Sequence, residues 1–364
     1  MKSATFLIAA GGTGGHVLPG IEVARELRAR GHDCVFVGTS RGQEKRLVPE
    51  AGFELELLKT GALKGLSLLR RLKTVVGLPA SLWQAGGVIE RRKPAAVLSL
   101  GGYASGPVML MACMEDVPVV VLEPNAKPGL AVRWAAPFVS RGLVAFPEAL
   151  SYFAQGRAEV VGIPIRREFF DLPRRARREP FTLLVTGGSQ GARTLNTAMV
   201  EALSIWKREG RLANLKIFHQ TGDQGFETAK AAYDDCEVDA EVAPFFRDMP
   251  TIFGEVDLVI CRAGASAVVE LCAAGKASIL VPYPYAADQH QLLNAQAQSA
   301  AGAAIVVEDH VMTGNRLVRE IEQLWTQPSE LARMEESSRA RAKPGAAGRA
   351  ASLLEGLAEA AGKA

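Results

Sequence analysis

The sequence predicts an α/β protein made of two doubly wound domains, and three observations carry that expectation. Short apolar runs rich in β-branched residues alternate with helix-length segments from end to end, the pattern of βαβ units on a parallel sheet. The alternation breaks once, over residues 163–180 (IPIRREFFDLPRRARREP), a stretch rich in Arg and Pro with little apolar periodicity, and then resumes. The 364 residues, 48% apolar, suffice for two cores at about 100–200 residues per domain. The expected division is therefore a first domain over 1–162, a linker over 163–180, a second domain over 181–345 and an Ala-rich C-terminal helix over 346–364 that packs on one of them.

In the first domain the runs Thr5–Ala10, Asp33–Val37, Ala95–Leu100, Val117–Leu122 and Gly142–Ala145 read as strands. Pro19–Arg30 between the first two is amphipathic and stops at Gly31, as helices commonly do. In the second domain Thr182–Thr186, Lys216–His219, Val238–Ala243, Leu258–Cys261, Ala277–Val281 and Ala304–Val307 read the same way. In such sheets ligands bind beyond the C-terminal strand ends, and two such domains imply a cleft between them.

Several classes are excluded at once. No apolar run approaches the ~20 residues of a membrane-spanning helix, and Ala4–Ala10 is a buried strand rather than a secretory signal. The five cysteines form no Cys-x-x-Cys pair and suit a reduced, cytoplasmic protein rather than a disulfide scaffold. The net charge of +3 is unevenly spread. Residues 1–165 hold 19 Lys and Arg against 13 Asp and Glu, and residues 166–364 hold 23 against 26. A basic front half suits an anionic surface or a phosphorylated ligand, although uneven solvated charge needs no partner.

Three glycine-rich loops follow predicted strands: 11–16 (GGTGGH), 101–107 (GGYASGP) and 187–191 (GGSQG). Glycine lets backbone N–H groups approach a ligand, and a helix starting behind the loop favours negative charge. The dinucleotide fingerprint fails because Val17 stands where its third Gly belongs, and no G-x-x-x-x-G-K-[ST] loop occurs. No Asp-x-Asp pair or His/Cys cluster with metal spacing appears, so neither a metal site nor a cofactor is expected. Residues 187–191 also match G-x-S-x-G, the nucleophile elbow of serine hydrolases, which keeps open a hydrolase using Ser189. The competing role for Ser189 is a hydrogen bond to phosphate or sugar.

After the strand ending at Cys261, the small residues of Arg262-Ala263-Gly264-Ala265-Ser266-Ala267 would leave helix N–H groups open to a diphosphate. Glu270, one turn further in, could accept from both hydroxyls of a ribose, unless it is simply a solvated helix carboxylate. The amides and carboxylate of residues 288–295 (DQHQLLNA) suit several sugar hydroxyls.

Together GGTGGH, GGYASGP, EPN at 123–125, GGSQGARTLN at 187–196, CRAGAS with Glu270, and DQHQLLNA resemble, in order and across the chain, the MurG family. These are the N-acetylglucosamine transferases of bacterial peptidoglycan synthesis, with the two-domain GT-B fold. The resemblance implies inverting transfer of N-acetylglucosamine from its UDP donor to lipid I, which makes lipid II at the cytoplasmic face of the inner membrane. It implies a donor-binding C-terminal domain, an N-terminal domain facing membrane and acceptor, no nucleic acid, and other cell-wall or division proteins as further partners. Carried over residue by residue, Thr13, Gly14 and Gly15 line the donor diphosphate and sugar. Asn125 and Gln291 hold the N-acetylglucosamine, and Arg166 and Ser189 contact the donor. Gly264, Ala265 and Ser266 cup the diphosphate, Glu270 takes the ribose, and Phe246 flanks the uracil. Pro124 stands where Gln is usual in the family, and Ile163 where Asn is common.

Inversion by one in-line displacement needs a base for the attacking hydroxyl and help for the departing diphosphate. His16 is the candidate base, since an imidazole with a pKa near ~6.5 is largely neutral at pH 7; a structural histidine capping the first helix is the alternative. Residues 63–83 (LKGLSLLRRLKTVVGLPASLW) mix apolar and basic side chains, with Leu69, Arg70, Arg71, Lys73, Val76 and Trp83 as candidate contacts to anionic lipid. An amphipathic core helix with a basic outer face is the ordinary alternative.

Overall fold

The computed structural model describes residues 3–12, 14–40, 42–58, 68–102, 104–176 and 179–362, with the backbone alone for 68–78. The chain divides into two compact units, Met1–Arg166 with Gly345–Ala364, and Arg167–Pro344.

In the first unit the order is β1 (Thr5–Ala9), α1 (Gly14–Ala29), β2 (Asp33–Thr39), α2 (Glu44–Glu50), β3 (Glu54–Leu58), α3 (Leu68–Arg92), β4 (Ala96–Ser99), α4 (Ser105–Met114), β5 (Val119–Glu123), α5 (Leu130–Ala135), β6 (Arg141–Val144) and β7 (Ala158–Val160). The sheet runs β3-β2-β1-β4-β5-β6-β7, with every described pairing parallel. Alternate residues of β1 show why both faces are covered. Phe6 and Ile8 join one core with Val17, Ile21, Ala24 and Leu27 of α1, while Leu7 and Ala9 join another with Val88 and Ile89 of α3 and Val108 and Ala112 of α4.

The second unit repeats the plan: β8 (Phe181–Thr186), α6 (Arg193–Glu209), β9 (Leu215–Gln220), α7 (Phe226–Cys236), β10 (Asp239–Ala243), α8 (Met249–Glu255), β11 (Leu258–Cys261), α9 (Ala265–Ala274), β12 (Ala277–Leu280), α10 (His290–Ala300), β13 (Ala304–Val306), α11 (Gly314–Thr326) and α12 (Pro328–Ala340). Its sheet runs β10-β9-β8-β11-β12-β13, again parallel. Leu183, Val185, Ile217, Ile260 and Ile279 bury one face against Leu195, Met199 and Trp206 of α6 and Leu317, Ile321 and Leu324 of α11.

The C-terminal segment then returns to the first unit as α13 (Ala346–Ala360). Ala350, Ala351, Leu354 and Ala358 enter the α1-side core, and Glu355 accepts from Arg30 at 2.7 Å and lies 3.0 Å from His32 Nε2. The alanines let α13 approach α1 closely, which is why this tail needs no core of its own.

Three details differ from the sequence reading. The first helix begins at Gly14 rather than Pro19, and Pro19 lies inside it. Strands β3 and β7 were not expected, because both are short edge strands whose polar residues break the apolar run. All five cysteines carry free thiols, and burial pushes those of Cys34 and Cys261 up to about 12. Among the described residues no helix is long and apolar enough to cross a membrane.

Candidate active site

At the C-terminal edge of the first sheet, two glycine loops lie back to back. Gly102 has φ +88°, and a Cβ there would fall 1.9 Å from the Gly11 carbonyl oxygen, so only glycine fits. The Ser105 hydroxyl sits 2.7 Å from the Ala9 carbonyl and 2.6 Å from that of Gly101, which fixes the second loop to the end of β1. The first loop is fixed by Glu44, which the sequence reading missed. This carboxylate is 0% exposed. Its Oε2 accepts the Gly12 N–H at 3.0 Å, while its Oε1 accepts the N–H and hydroxyl of Thr39, both at 2.8 Å.

That loop runs straight into α1, whose first residues are Gly14, Gly15 and His16; Thr13 lies outside the described residues. The His16 ring reaches across to β4, with Nδ1 2.7 Å from the Leu100 carbonyl. A carbonyl only accepts, so Nδ1 carries the hydrogen and Nε2 the lone pair of the neutral ring.

After β5, Glu123 is buried and accepts hydrogen bonds from the Asn125 N–H at 2.9 Å, from Asn125 Nδ2 at 3.0 Å and from the Gly129 N–H at 3.2 Å. Burial raises its pKa, against the opposing pull of those donors. Its carboxyl fixes the Asn125 side chain with the carboxamide oxygen turned away from Oε1. Arg166, half-buried, is the last residue of this unit's first segment.

In the second unit the remaining candidates all follow strands. Ser189 is exposed in the turn after β8, whose Gly188 N–H donates to Thr186 Oγ1 at 3.1 Å. Gly264 caps α9 in extended conformation, followed by Ala265 and Ser266 in the first turn, with Glu270 half-buried one turn on. A helix start with such small side chains can admit an anion to its N–H groups. The floor beneath it is set by Asn294, buried, whose Nδ2 donates to the Ala263 carbonyl at 3.2 Å. Gln291 accepts the Tyr283 N–H through Oε1 at 3.0 Å. Just before it, Asp288 and Gln289 both have positive φ, at 50° and 56°, a conformation that side chains rarely adopt and that clusters at functional sites. Phe246 is 7% exposed and its ring packs edge-on against Phe218, whereas Phe245 is 54% exposed. Expected as the ring beside the uracil, Phe246 thus presents little of its ring to solvent.

The described residues give the hydrolase reading no support. Ser189 lies in an open turn rather than at a helix start, and no described imidazole bonds its hydroxyl. His219, the nearest buried one in sequence, is committed to Tyr233 OH and Asn196 Oδ1, each at 3.1 Å.

Residues 6–144 match the glycosyltransferase family 28 N-terminal domain, and residues 182–349 match the family's C-terminal domain. The chain belongs to glycosyltransferase family 28. More narrowly, it is 47% identical over 356 residues to the UDP-N-acetylglucosamine–N-acetylmuramyl-(pentapeptide) pyrophosphoryl-undecaprenol N-acetylglucosamine transferase of Solibacter usitatus, covering 98% of this chain and 97% of the relative. The same-named protein of Myxococcus xanthus is 41% identical, over 94% of this chain and 90% of its own. The crystal structure of Acinetobacter baumannii MurG superposes with a TM-score of 0.81 at 31% identity, covering 97% of this chain and 99% of that one.

His219 makes the second unit's stability pH-dependent. Burial lowers its pKa from 6.5 to about 3. The unfolded chain takes up this proton near 6.5 and the folded chain only near 3. Stability is therefore full above 6.5 and falls toward pH 3 by about 1.4 kcal/mol per unit from this residue alone. Urea midpoints of His219→Gln should fall less steeply between pH 6.5 and 4 than those of the parent. Equal slopes would mean that His219 is not buried as a neutral ring.

Proposed function

We infer that this chain transfers N-acetylglucosamine from UDP-N-acetylglucosamine to undecaprenyl-diphosphate-linked N-acetylmuramyl-pentapeptide (lipid I), forming the β-1,4 linkage of lipid II in peptidoglycan synthesis. The observation that carries this reading is family membership through both units, with relatives named for that activity matching almost end to end. The C-terminal unit takes the nucleotide. The diphosphate lies at the N-terminus of α9 over Gly264, Ala265 and Ser266, Glu270 accepts from the ribose hydroxyls, and Phe246 meets the uracil through its backbone. Ser189 and Arg166 contact the donor's charged portion, while Asn125 and Gln291 hold the sugar. Gly14 and Gly15, with Thr13 before them, bring N–H groups to the same donor.

Displacement inverts the anomeric carbon. His16 Nε2 takes the proton of the attacking hydroxyl, and the Nδ1–H···O=C bond to Leu100 keeps the ring in the tautomer that can do so. The leaving diphosphate gains charge as the bond breaks, and the helix start together with Arg166 stabilises it. No cofactor enters this scheme, and the diphosphate is neutralised by the protein rather than by a divalent cation.

The lipid-linked acceptor calls for a membrane-facing surface, and the first unit offers one. Trp83 on α3 is 81% exposed, Trp134 on α5 is 75% exposed and Phe138 is 72% exposed, with Leu110 and Met114 on α4 also exposed. Helix α3 packs against α4 and α4 against α5, so these exposed side chains come from neighbouring segments of that unit. Exposed apolar and aromatic side chains of this kind suit an interfacial contact. Leu69, Arg70, Arg71, Lys73 and Val76 lie on α3 ahead of Trp83, their side chains outside those described. The protein thus binds peripherally at the anionic cytoplasmic face of the inner membrane, where other cell-wall or division proteins can meet it.

Release of UDP should require both UDP-N-acetylglucosamine and a lipid I analogue and should survive chelation. His16→Ala should lower kcat by about 10²–10⁴-fold with donor affinity retained, and Glu270→Ala should weaken UDP binding. Turnover that collapses on chelation, or UDP affinity unchanged in Glu270→Ala, would contradict these assignments. The triple change Arg70→Gln, Arg71→Gln, Lys73→Gln should weaken binding to anionic vesicles, as should raised salt; binding indifferent to both would refute the basic contact.

A further inference from the structure

Strand β9 lies between β8 and β10, and the side chain at its C-terminal end reaches both neighbours. Gln220 is in register with Thr186 of β8 on one side and Ala243 of β10 on the other, and it is 2% exposed. Its Nε2 donates to Thr186 Oγ1 at 3.1 Å, and its Oε1 accepts the Phe246 N–H at 2.9 Å. The amide can point only this way, because the Phe246 N–H is a donor and must meet the carbonyl end. Thr186 Oγ1 also accepts the Gly188 N–H. One buried amide therefore links the turn that carries Ser189 to the loop that carries Phe246.

The two loops lean on β9 in other ways as well. The Thr221 N–H donates to the Ala243 carbonyl and the Gly222 N–H to that of Pro244, while a Cβ on Gly191 would fall 1.9 Å from the Thr221 carbonyl oxygen. Those contacts hold the residues before Phe246 and after Ser189. The backbone nitrogen of Phe246 itself is held by Gln220. The edge-on packing of its ring against Phe218, with centroids 6.3 Å apart, is a far softer constraint than a directional hydrogen bond at 2.9 Å.

We propose that Gln220 is the positioning residue for nucleobase selection: by fixing the Phe246 backbone against β8, it sets the geometry in which uracil is told from other bases, without touching the nucleotide. The proposal rests on reading the loop after β10 as the uracil contact. Discrimination between bases comes from hydrogen-bonding groups held in place, so freeing that backbone costs selectivity as well as affinity.

The test is calorimetric titration of the full chain with UDP and with CDP, which differ in the base alone. The parent should prefer UDP. Gln220→Met, of similar volume but without the amide, should bind UDP about tenfold more weakly, with the UDP-over-CDP ratio shrinking by most of that factor. Gln220→Glu keeps an acceptor for the Phe246 N–H, and the Thr186 hydroxyl can turn to donate to it, so this variant should restore the ratio. Thr186→Val breaks the link to β8, together with the acceptor of the Gly188 N–H, and should shrink the ratio in the same direction as Gln220→Met; an unchanged ratio would overturn the anchoring against β8. If Gln220→Met does not fold, Gln220→Asn, one methylene too short to span both partners, should show the same loss of ratio. A parent that prefers UDP and a Gln220→Met or Gln220→Asn variant with an unchanged ratio would overturn the role of Gln220 while leaving the donor site intact. A parent indifferent to the base would overturn the uracil reading itself, and this proposal with it.

Discussion

Loops that bind a phosphate or sugar through their backbone cannot be held by their own side chains, since glycine and alanine have almost none to offer. In this chain the holding is done from below, by buried polar side chains each bonded to a specific main-chain atom. Glu44 takes the Gly12 N–H, Glu123 the N–H groups of Asn125 and Gly129, Gln220 the Phe246 N–H, and Asn294 the Ala263 carbonyl. Each of the four segments proposed to face the donor has one such anchor. The site's geometry depends on these contacts more than on any residue expected to touch substrate.

The arrangement has a physical cost that explains its chemistry. A buried carboxylate is stable only when its oxygens are satisfied, and the raised pKa of Glu123 is the mark of that cost. In return, the N–H and C=O groups so held would need little reorganisation if charge develops beside them, as the proposed departure of a diphosphate requires. The two units reach this state with the same device. Gly102 sits against the Gly11 carbonyl in one and Gly191 against that of Thr221 in the other, so that in each unit neighbouring strand-end loops brace one another.

Much of this could be read in the sequence. The central strands are buried, unbroken apolar runs and were legible, as were the edge strands β10 and β13, whereas edge strands β3 (ELELL) and β7 (AEV) were not. The glycine loops and their place after strands were legible for the same reason. The anchors were not. Glu44 in a run such as QEKRLVPE looks like a solvated helix carboxylate, and nothing local distinguishes it from its exposed neighbours until the Gly12 loop is folded against it. Gln220 likewise ends a strand and gains meaning only through Thr186 and Phe246, 34 and 26 positions away. Family resemblance supplied the proposed donor contacts, but it pointed to Phe246 without revealing that this residue is buried.

Amide hydrogen exchange in the unliganded protein tests this account most directly. The N–H groups of Gly12, Asn125, Gly129 and Phe246 should exchange at least ~100-fold more slowly than in an unstructured peptide, before any nucleotide is added. Exchange at unstructured rates, with protection arising only on addition of UDP-N-acetylglucosamine, would mean that the ligand orders the loops and that the buried anchors do not.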